Sequence, residues 1–260
     1  MELEIDLNKS VDENAGVYFD LAKKSKKKLE GAKAALEETK KKLEQLQKQE
    51  EKFFKQEELK KQKKEVKHEW YEKFHWFTSS EGFLCIGGKD ATSNEIVVKK
   101  YVEKGDLVFH TEMPGSPFFV IKNGQNAGEK TLQETAIAVA VYSKAWKSGH
   151  TMADVFYVLP DQVSKEAQSG EYMSKGSFMV RGKKNIFHPQ LEYAIGLFDG
   201  IIIGGPLSAV QIKTSNYVVV VPGVNEKKSE LGKKVKAKLK GGDLDDIIKF
   251  LPAGGGQIKK

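Results

Sequence analysis

Hydrophobic positions follow two different rules along this chain, and the change falls near Lys67–Tyr71. Before it, Ala22, Leu29, Leu36 and Leu43 recur every seven residues, with Ala32, Leu46 and Phe53 at the second seam position. That spacing predicts a coiled-coil helix with one apolar seam on a charged cylinder. Ser10 or Asp12 can cap it, and Glu13 and Asp20 suit its positive N-terminal end. A single seam gains its stability by packing against a partner surface. After Phe53-Phe54 the pattern frays, then resumes at Leu59, Val66, Trp70 and Phe77. Two geometries fit: one helix roughly 80 Å long, or an antiparallel hairpin folding near Gln47–Lys52, where neither Gly nor Pro marks a turn.

After the change, short β-type runs alternate with helical ones. Strands are expected at Phe83–Ile86, Leu107–His110, Phe118–Ile121, Val155–Leu159 and Ser177–Val180. A hairpin-like series follows at Tyr193–Phe198, Ile201–Gly204, Ala209–Lys213 and Tyr217–Val221, punctuated by Asp199-Gly200, Gly205-Pro206 and Ser215-Asn216. Helices are expected at Asn94–Val102, Leu132–Lys147, Lys227–Leu239 and Asp243–Phe250, the second with Thr131 as cap and Glu134 completing a capping box. The order predicts an α+β domain with a mixed sheet, residues 68–260, after a coiled-coil region, residues 1–67.

Composition sharpens this division. The 260 residues carry a net charge of +7, split into −5 over residues 1–20, +8 over 21–68 and +4 over 69–260. All seven prolines lie in the second part. One cysteine, Cys85, excludes an intramolecular disulfide framework, and five scattered histidines offer no dense metal-ligand box. No apolar run approaches the length of a membrane span, and MELEIDLNKS lacks a signal core. A soluble, cytoplasmic protein without a cofactor is expected. The clusters Lys23-Lys24 and Lys26-Lys27-Lys28 suit either a solvated face or phosphate contact.

Four segments bear on chemistry. Trp70-Tyr71-x-x-Phe74-His75-Trp76-Phe77 either docks the base of the coil on the sheet or forms a stacking platform for bases. Gly87-Gly88-Lys89-Asp90, between a strand and a helix, is a phosphate-holding turn or a plain turn capped by Asp90 or Ser93, and it is not a Walker A loop. His110 and Glu112, two apart on a strand, share a face, so a base with an orienting carboxylate is conceivable. No activated nucleophile or metal-ligand spacing accompanies them, and no catalytic residue is assigned. Arg181-Gly182-Lys183-Lys184 puts cations at a strand end, as a phosphate grip or a solvated turn.

In order along the chain, these segments resemble the NFACT family. Trp70-Tyr71-Glu72-Lys73-Phe74-x-Trp76-Phe77, Gly82-Phe83-Leu84, Gly87-Gly88-Lys89-Asp90-Ala91-x-x-Asn94-Glu95, Gly105-Asp106-Leu107-x-x-His110 and Val120-Ile121-Lys122-Asn123 are similar to its NFACT-R domain. So are Tyr142-Ser143-x-Ala145-Trp146, Gln162-Val163-Ser164-Lys165, Gly170-Glu171-Tyr172 and Lys175-Gly176-Ser177-Phe178-x-Val180-Arg181-Gly182. Ile5-Asp6-Leu7-x-Lys9-Ser10 resembles the entry to the family's coiled-coil region, and the tail from Gly204-Gly205-Pro206 to Leu251-Pro252 looks archaeal. The family includes the nuclear export mediator factor and fibronectin-binding-protein-like members.

The resemblance implies ribosome-associated quality control: binding of an obstructed large ribosomal subunit, its rRNA and tRNA, through a coil of two antiparallel helices. It also implies that the NFACT-N domain and helix–hairpin–helix segment lie outside these residues, so the chain is expected to be a fragment or a stand-alone version, with a separate NFACT-N chain as a possible partner. Pro114-Gly115-Ser116 stands where some relatives have His-Gly-Ala, which weakens a catalytic reading of that loop. The candidate RNA-contacting set is Trp70, Tyr71, Trp76, Lys89, Asp90, Asn94, His110, Lys122, Lys165, Arg181, Lys183 and Lys184. Neither a membrane nor DNA is expected as a partner. The alternatives are an RNA- or nucleotide-processing enzyme using His110, Glu112 and Asp90, and a coiled-coil protein-docking module.

Overall fold

The structure, a computed structural model, describes residues 4–64, 69–165, 175–223 and 226–259, with only the backbone at 48 and 51–64. Residues 1–68 and 69–260 form two compact units. The Gly170-Glu171-Tyr172 motif and Val66, like the side chains of Phe53 and Leu59, lie outside what is described.

The first unit is one helix, α1 (Val11–Lys64), about 80 Å long at 1.5 Å per residue. The expected hairpin turn near Gln47–Lys52 is absent. Lys, Glu, Gln and Leu favour helix there, and neither Gly nor Pro offers the backbone a turn. Its start is a reciprocal cap: Glu13 N donates to Ser10 Oγ at 3.3 Å, and Ser10 N donates to Glu13 Oε2 at 2.7 Å. The heptad leucines Leu29, Leu36 and Leu43 are each 56% exposed, so the predicted seam exists and is uncovered.

The second unit is α+β, and its sheets are antiparallel rather than mixed. One sheet has the order β1-β2-β4-β3-β5-β8 among the described residues: β1 (His75–Thr78), β2 (Leu84–Gly87), β3 (Leu107–Thr111), β4 (Phe119–Ile121), β5 (Val155–Val158) and β8 (Asn185–Phe187). Between β5 and β8 stands a small ribbon of β6 (Val163–Ser164) and β7 (Met179–Val180). The other sheet runs β10 (Ile201–Gly205), β9 (Tyr193–Phe198), β11 (Tyr217–Pro222) and β12 (Gly256–Ile258). Every pairing is antiparallel. Register is firm where both faces are buried, as at Phe109↔Phe119 and Val108↔Val120.

Helix α3 (Glu129–Val141) touches strands of both sheets, and Ala136, Ala138, Val139, Ala140 and Val141 are fully buried. A helix apolar on all sides belongs inside a core, and its alanines allow close approach to both sheets. Thr131 is not its cap: α3 starts at Glu129 after Gly128, and Thr131 N lies 2.9 Å from Glu81 Oε2. Glu134 turns outward from the helix to accept Ser80 N at 2.8 Å and Ser208 Oγ at 2.6 Å. The cap thus comes from the β1–β2 turn.

The remaining helices are short. α2 (Ala91–Ile96) runs into a π-helical turn, Val97–Tyr101. α4 (Lys144–Lys147) restarts after Tyr142, capped by Ser143 Oγ accepting Ala145 N at 3.1 Å. The predicted strand Ala209–Lys213 is instead helix α5 (Leu207–Gln211). Neighbours Ala209 and Val210 are both buried while Ile212 is 62% exposed, which no strand alternation permits. α6 (Lys228–Leu239) and α7 (Leu244–Phe250) complete the core with Leu231, Val235, Ile247 and Leu251.

Candidate nucleic-acid interface

Three of the singled-out segments meet at one open cleft of about 560 Å³. Its walls are the β2–α2 turn from Gly88 to Asn94, the β3–β4 loop from His110 to Phe118, and the loop from Lys175 to Phe178, with His75 and Tyr142 also lining it.

The β2–α2 turn is locked by its own polar groups. Asp90 accepts Ser93 N at 2.7 Å, and Ser93 Oγ accepts the amides of Lys89 and Asp90, both at 2.8 Å. These bonds hold the Asp90 carboxyl below its ordinary pKa. Asn94 Oδ1 accepts Phe118 N at 3.0 Å and so ties two walls together. Only glycine fits at position 88, because a Cβ there would lie 2.0 Å from Asn94 Oδ1 and 2.6 Å from its amide. Gly176, at φ +79, plays the same part in the third wall, where a Cβ would meet the Ala91 backbone at 2.6 Å.

Both imidazoles of the cleft are neutral at physiological pH. Burial, then the charges of Lys89 and Lys228, lowers the pKa of His75 to about 3. Burial lowers His110 to about 4 against an opposing hydrogen bond to Thr111, with Lys184 lowering it further. His75 stacks on Tyr142 at 3.7 Å and 19°, and Tyr142 is anchored through its hydroxyl to Tyr193 Oη (2.9 Å) and Phe250 O (2.7 Å). His110 Nδ1 sits on the Thr111 peptide, 2.6 Å from its amide, and the ring meets Phe118 edge-on at 3.9 Å.

Charge gathers at the same place. The exposed Lys89 and the partly exposed Lys228 both have a lowered pKa, chiefly by desolvation, then by Lys249 for Lys89, with Asp90 opposing, and by Lys89 for Lys228. Among the described residues neither forms an ion pair, nor does Lys175 on the cleft wall. Lys89 and Lys228 raise one another's cost, which Asp90 offsets only in part at Lys89, and such cations make an anion-receptive surface.

The other sequence candidates fall elsewhere. Trp70 is 41% exposed and stacks on Tyr101 at 4.4 Å and 16°, while Tyr71 meets the edge of Trp76 at 4.9 Å. Trp76 in turn abuts Phe250 at 6.0 Å. These rings pack around Phe74, Ile86, Val97 and Val120, so most of the aromatic segment serves the sheet's own packing, and Trp70 keeps the most open surface. Lys122 is committed to an ion pair with the fully buried Asp106 (2.6 Å), and to Glu103 (3.0 Å) and Tyr101 O (2.7 Å).

Lys165 pairs with Glu95, whose pKa falls to about 2 through hydrogen bonds from Lys165 and Lys99. Lys184 pairs with Glu112 at 2.7 Å and lies over the Phe156 ring. Arg181 and Lys183 are exposed on the β7–β8 turn, where Gln162 Nε2 bonds their carbonyls at 2.8 and 3.1 Å. Asp90, His110 and Glu112 do share the cleft, but Asp90 is a helix cap, Glu112 an ion-pair partner, and His110 Nδ1 is held by backbone. Among the described residues no cluster of three metal-ligating side chains occurs. His75, Tyr142 and Lys175, present in the motifs but not in the candidate contact set, complete the cleft, and Lys228, outside every motif, lies near Lys89.

Residues 73–182 match the family described as the NFACT protein RNA binding domain. They contain the whole of the cleft wall.

The chain belongs to the NFACT family.

An archaeal Rqc2 homolog, aRqcH of Methanocaldococcus jannaschii, is 42% identical over 200 residues, 74% of this chain and 30% of that protein. The ribosome quality control complex subunit NEMF of Homo sapiens is 45% identical over 122 residues, covering 46% of this chain and 11% of that protein. Its Drosophila melanogaster homolog is 45% identical over 130 residues, covering 49% of this chain and 13% of that protein. This NFACT chain therefore spans less than a third of the length of the relatives it matches.

Proposed function

We propose that this NFACT chain is an RNA- and ribosome-binding module of ribosome quality control. It contributes to the grip on an obstructed large ribosomal subunit and its tRNA, in the cytoplasm, with a separate NFACT-N chain as a further partner. The observation that carries this reading is the gathering of Lys89 and Lys175 on the wall of a cleft built by the RNA-binding-domain segments themselves, with Lys228 near Lys89, none of them in an ion pair among the described residues. The names of the relatives, ribosome quality control subunits, supply the ribosomal context. Binding acts through phosphate electrostatics and base contacts. No covalent step is proposed: Asp90 caps α2, Glu112 pairs with Lys184 and His110 Nδ1 is held by the Thr111 backbone.

Filter binding of the chain to large ribosomal subunits and to rRNA across a salt series tests this. The observed binding constant should fall linearly with salt on logarithmic axes, each phosphate contact adding about 0.7–0.9 to the slope. A flat response would remove the phosphate-contact mechanism.

A further inference from the structure

The cleft does not look like a site for phosphate alone. A bare anion site needs cations and amide donors, whereas this surface also carries five neutral rings: His75, His110, Tyr142, Phe118 and Phe178. The His75 ring makes no hydrogen bond among the described residues, and His110 leaves Nε2 without one. Asn94 Nδ2 is likewise uncommitted while its Oδ1 is used. A neutral imidazole offers one donor and one acceptor, and a carboxamide nitrogen adds two donors, which is the vocabulary for reading the edge of a base.

The volume of about 560 Å³ lies in the range of small-ligand sites and is far too narrow for a helix of RNA. Lys89 and Lys175 line the cleft, and Lys89 and Lys228 are close enough to His75 to lower its pKa. Neutral donors and acceptors beside lysines that form no ion pair among the described residues match the two halves of a nucleotide.

We infer that the cleft receives one unpaired nucleotide of a single-stranded RNA, its base read by His75, His110 and Asn94 and its phosphate held by Lys89, Lys175 and Lys228. This rests on the RNA-binding reading above and adds where, and in what form, the RNA is held. A duplex cannot present such a base without unstacking it, so the site selects single strands, loops or ends. A free nucleotide carries the same chemistry, and the test separates the two sources.

The test is an NMR titration of the full chain, following the imidazole signals of His75 and His110. The probes are a six-nucleotide single-stranded RNA, a duplex of the same sequence and a nucleoside monophosphate. His75→Phe keeps a ring stacked on Tyr142 and deletes only the nitrogens, and its amide spectrum reports that the fold is kept.

The single strand should move both imidazole signals and the duplex should not. His75→Phe should weaken single-strand binding about tenfold with an unchanged salt slope. Lys89→Gln with Lys228→Gln should lower that slope by about 0.7 for each phosphate that is no longer neutralised. Unmoved imidazoles, with His75→Phe binding salt-dependent RNA as tightly as the wild type, would overturn the cleft assignment and leave RNA binding standing. Absence of RNA binding would overturn both. A monophosphate that moves the imidazoles when RNA does not would overturn the single-strand assignment.

Discussion

Replacing Asp106 by alanine should destabilise the second unit by about 3–5 kcal/mol, the cost of leaving a buried charge without its partner. Asp106 is fully buried and accepts three bonds: Lys122 Nζ at 2.6 Å, Glu103 N at 2.8 Å and Asn123 N at 2.9 Å. The variant orphans two amides and takes the buried carboxylate from the Lys122 ammonium, whose side chain is only 20% exposed and which keeps only the exposed Glu103 and Tyr101 O. At about 2–4 °C per kcal/mol for a unit of this size, the melting temperature should drop by roughly 10 °C. Adding Lys122→Met should recover part of the loss, since the stranded charge goes while the orphaned amides remain. Urea denaturation of the two variants checks this. A change within about 0.5 kcal/mol for Asp106→Ala would show that the carboxylate is not holding this corner. The corner joins the start of β3 to the end of β4, the two strands that carry the His110–Phe118 cleft wall.

The second large effect is on pH. His75 and His110 have folded-state values near 3 and 4, against an ordinary value near 6.5 in the unfolded chain. Between those limits the unfolded chain binds protons that the folded chain refuses. Stability is therefore full above about pH 6.5 and falls as the pH drops toward the folded values. Two such groups should remove about 3 kcal/mol between pH 6.5 and 5, before most carboxylates titrate. Urea midpoints at a series of pH values measure the slope, and His75→Phe should halve it. A stability that is flat from pH 7 to 5 would mean that the imidazoles are solvated, and the neutral rings of the cleft would lose their basis.

Much of the architecture was legible in the sequence because strong periodicity survives folding. The heptad leucines mark α1, and the runs at Leu107, Val155, Tyr193 and Tyr217 are strands as expected. What was missed has local physical causes. Val210 and Ile212 look like strand alternation, but Pro206 opens a helix and Ala209 packs beside Val210. Thr131 with Glu134 reads as a capping box, yet both side chains reach across to Ser79, Ser80, Glu81 and Ser208 from other elements. Such long-range partners leave no local trace. Strands β1, β8 and β12 are only three or four residues long and are made by pairing rather than pattern.

For the site, local signals found the turn at Gly88-Lys89-Asp90 and the strand end at His110, and a lysine could be named as a candidate contact but not shown to be free. Lys122 looked like Lys89 in sequence, and only the buried Asp106 distinguishes them. Lys228 gave no signal at all, since it sits among other lysines at the start of α6 and reaches His75 and Lys89 only through the fold.

The central claim is that RNA meets this chain at the cleft of its second unit. Photo-crosslinking of the full chain to thiouridine-substituted single-stranded RNA, with peptide mapping of the adducts, asks this directly. Adducts on the peptides Gly88–Asn94, His110–Phe118 and Lys175–Phe178 are the predicted result. Adducts confined to the lysines of α1 or to the Arg181–Lys183 turn, with none on the cleft peptides, would contradict it.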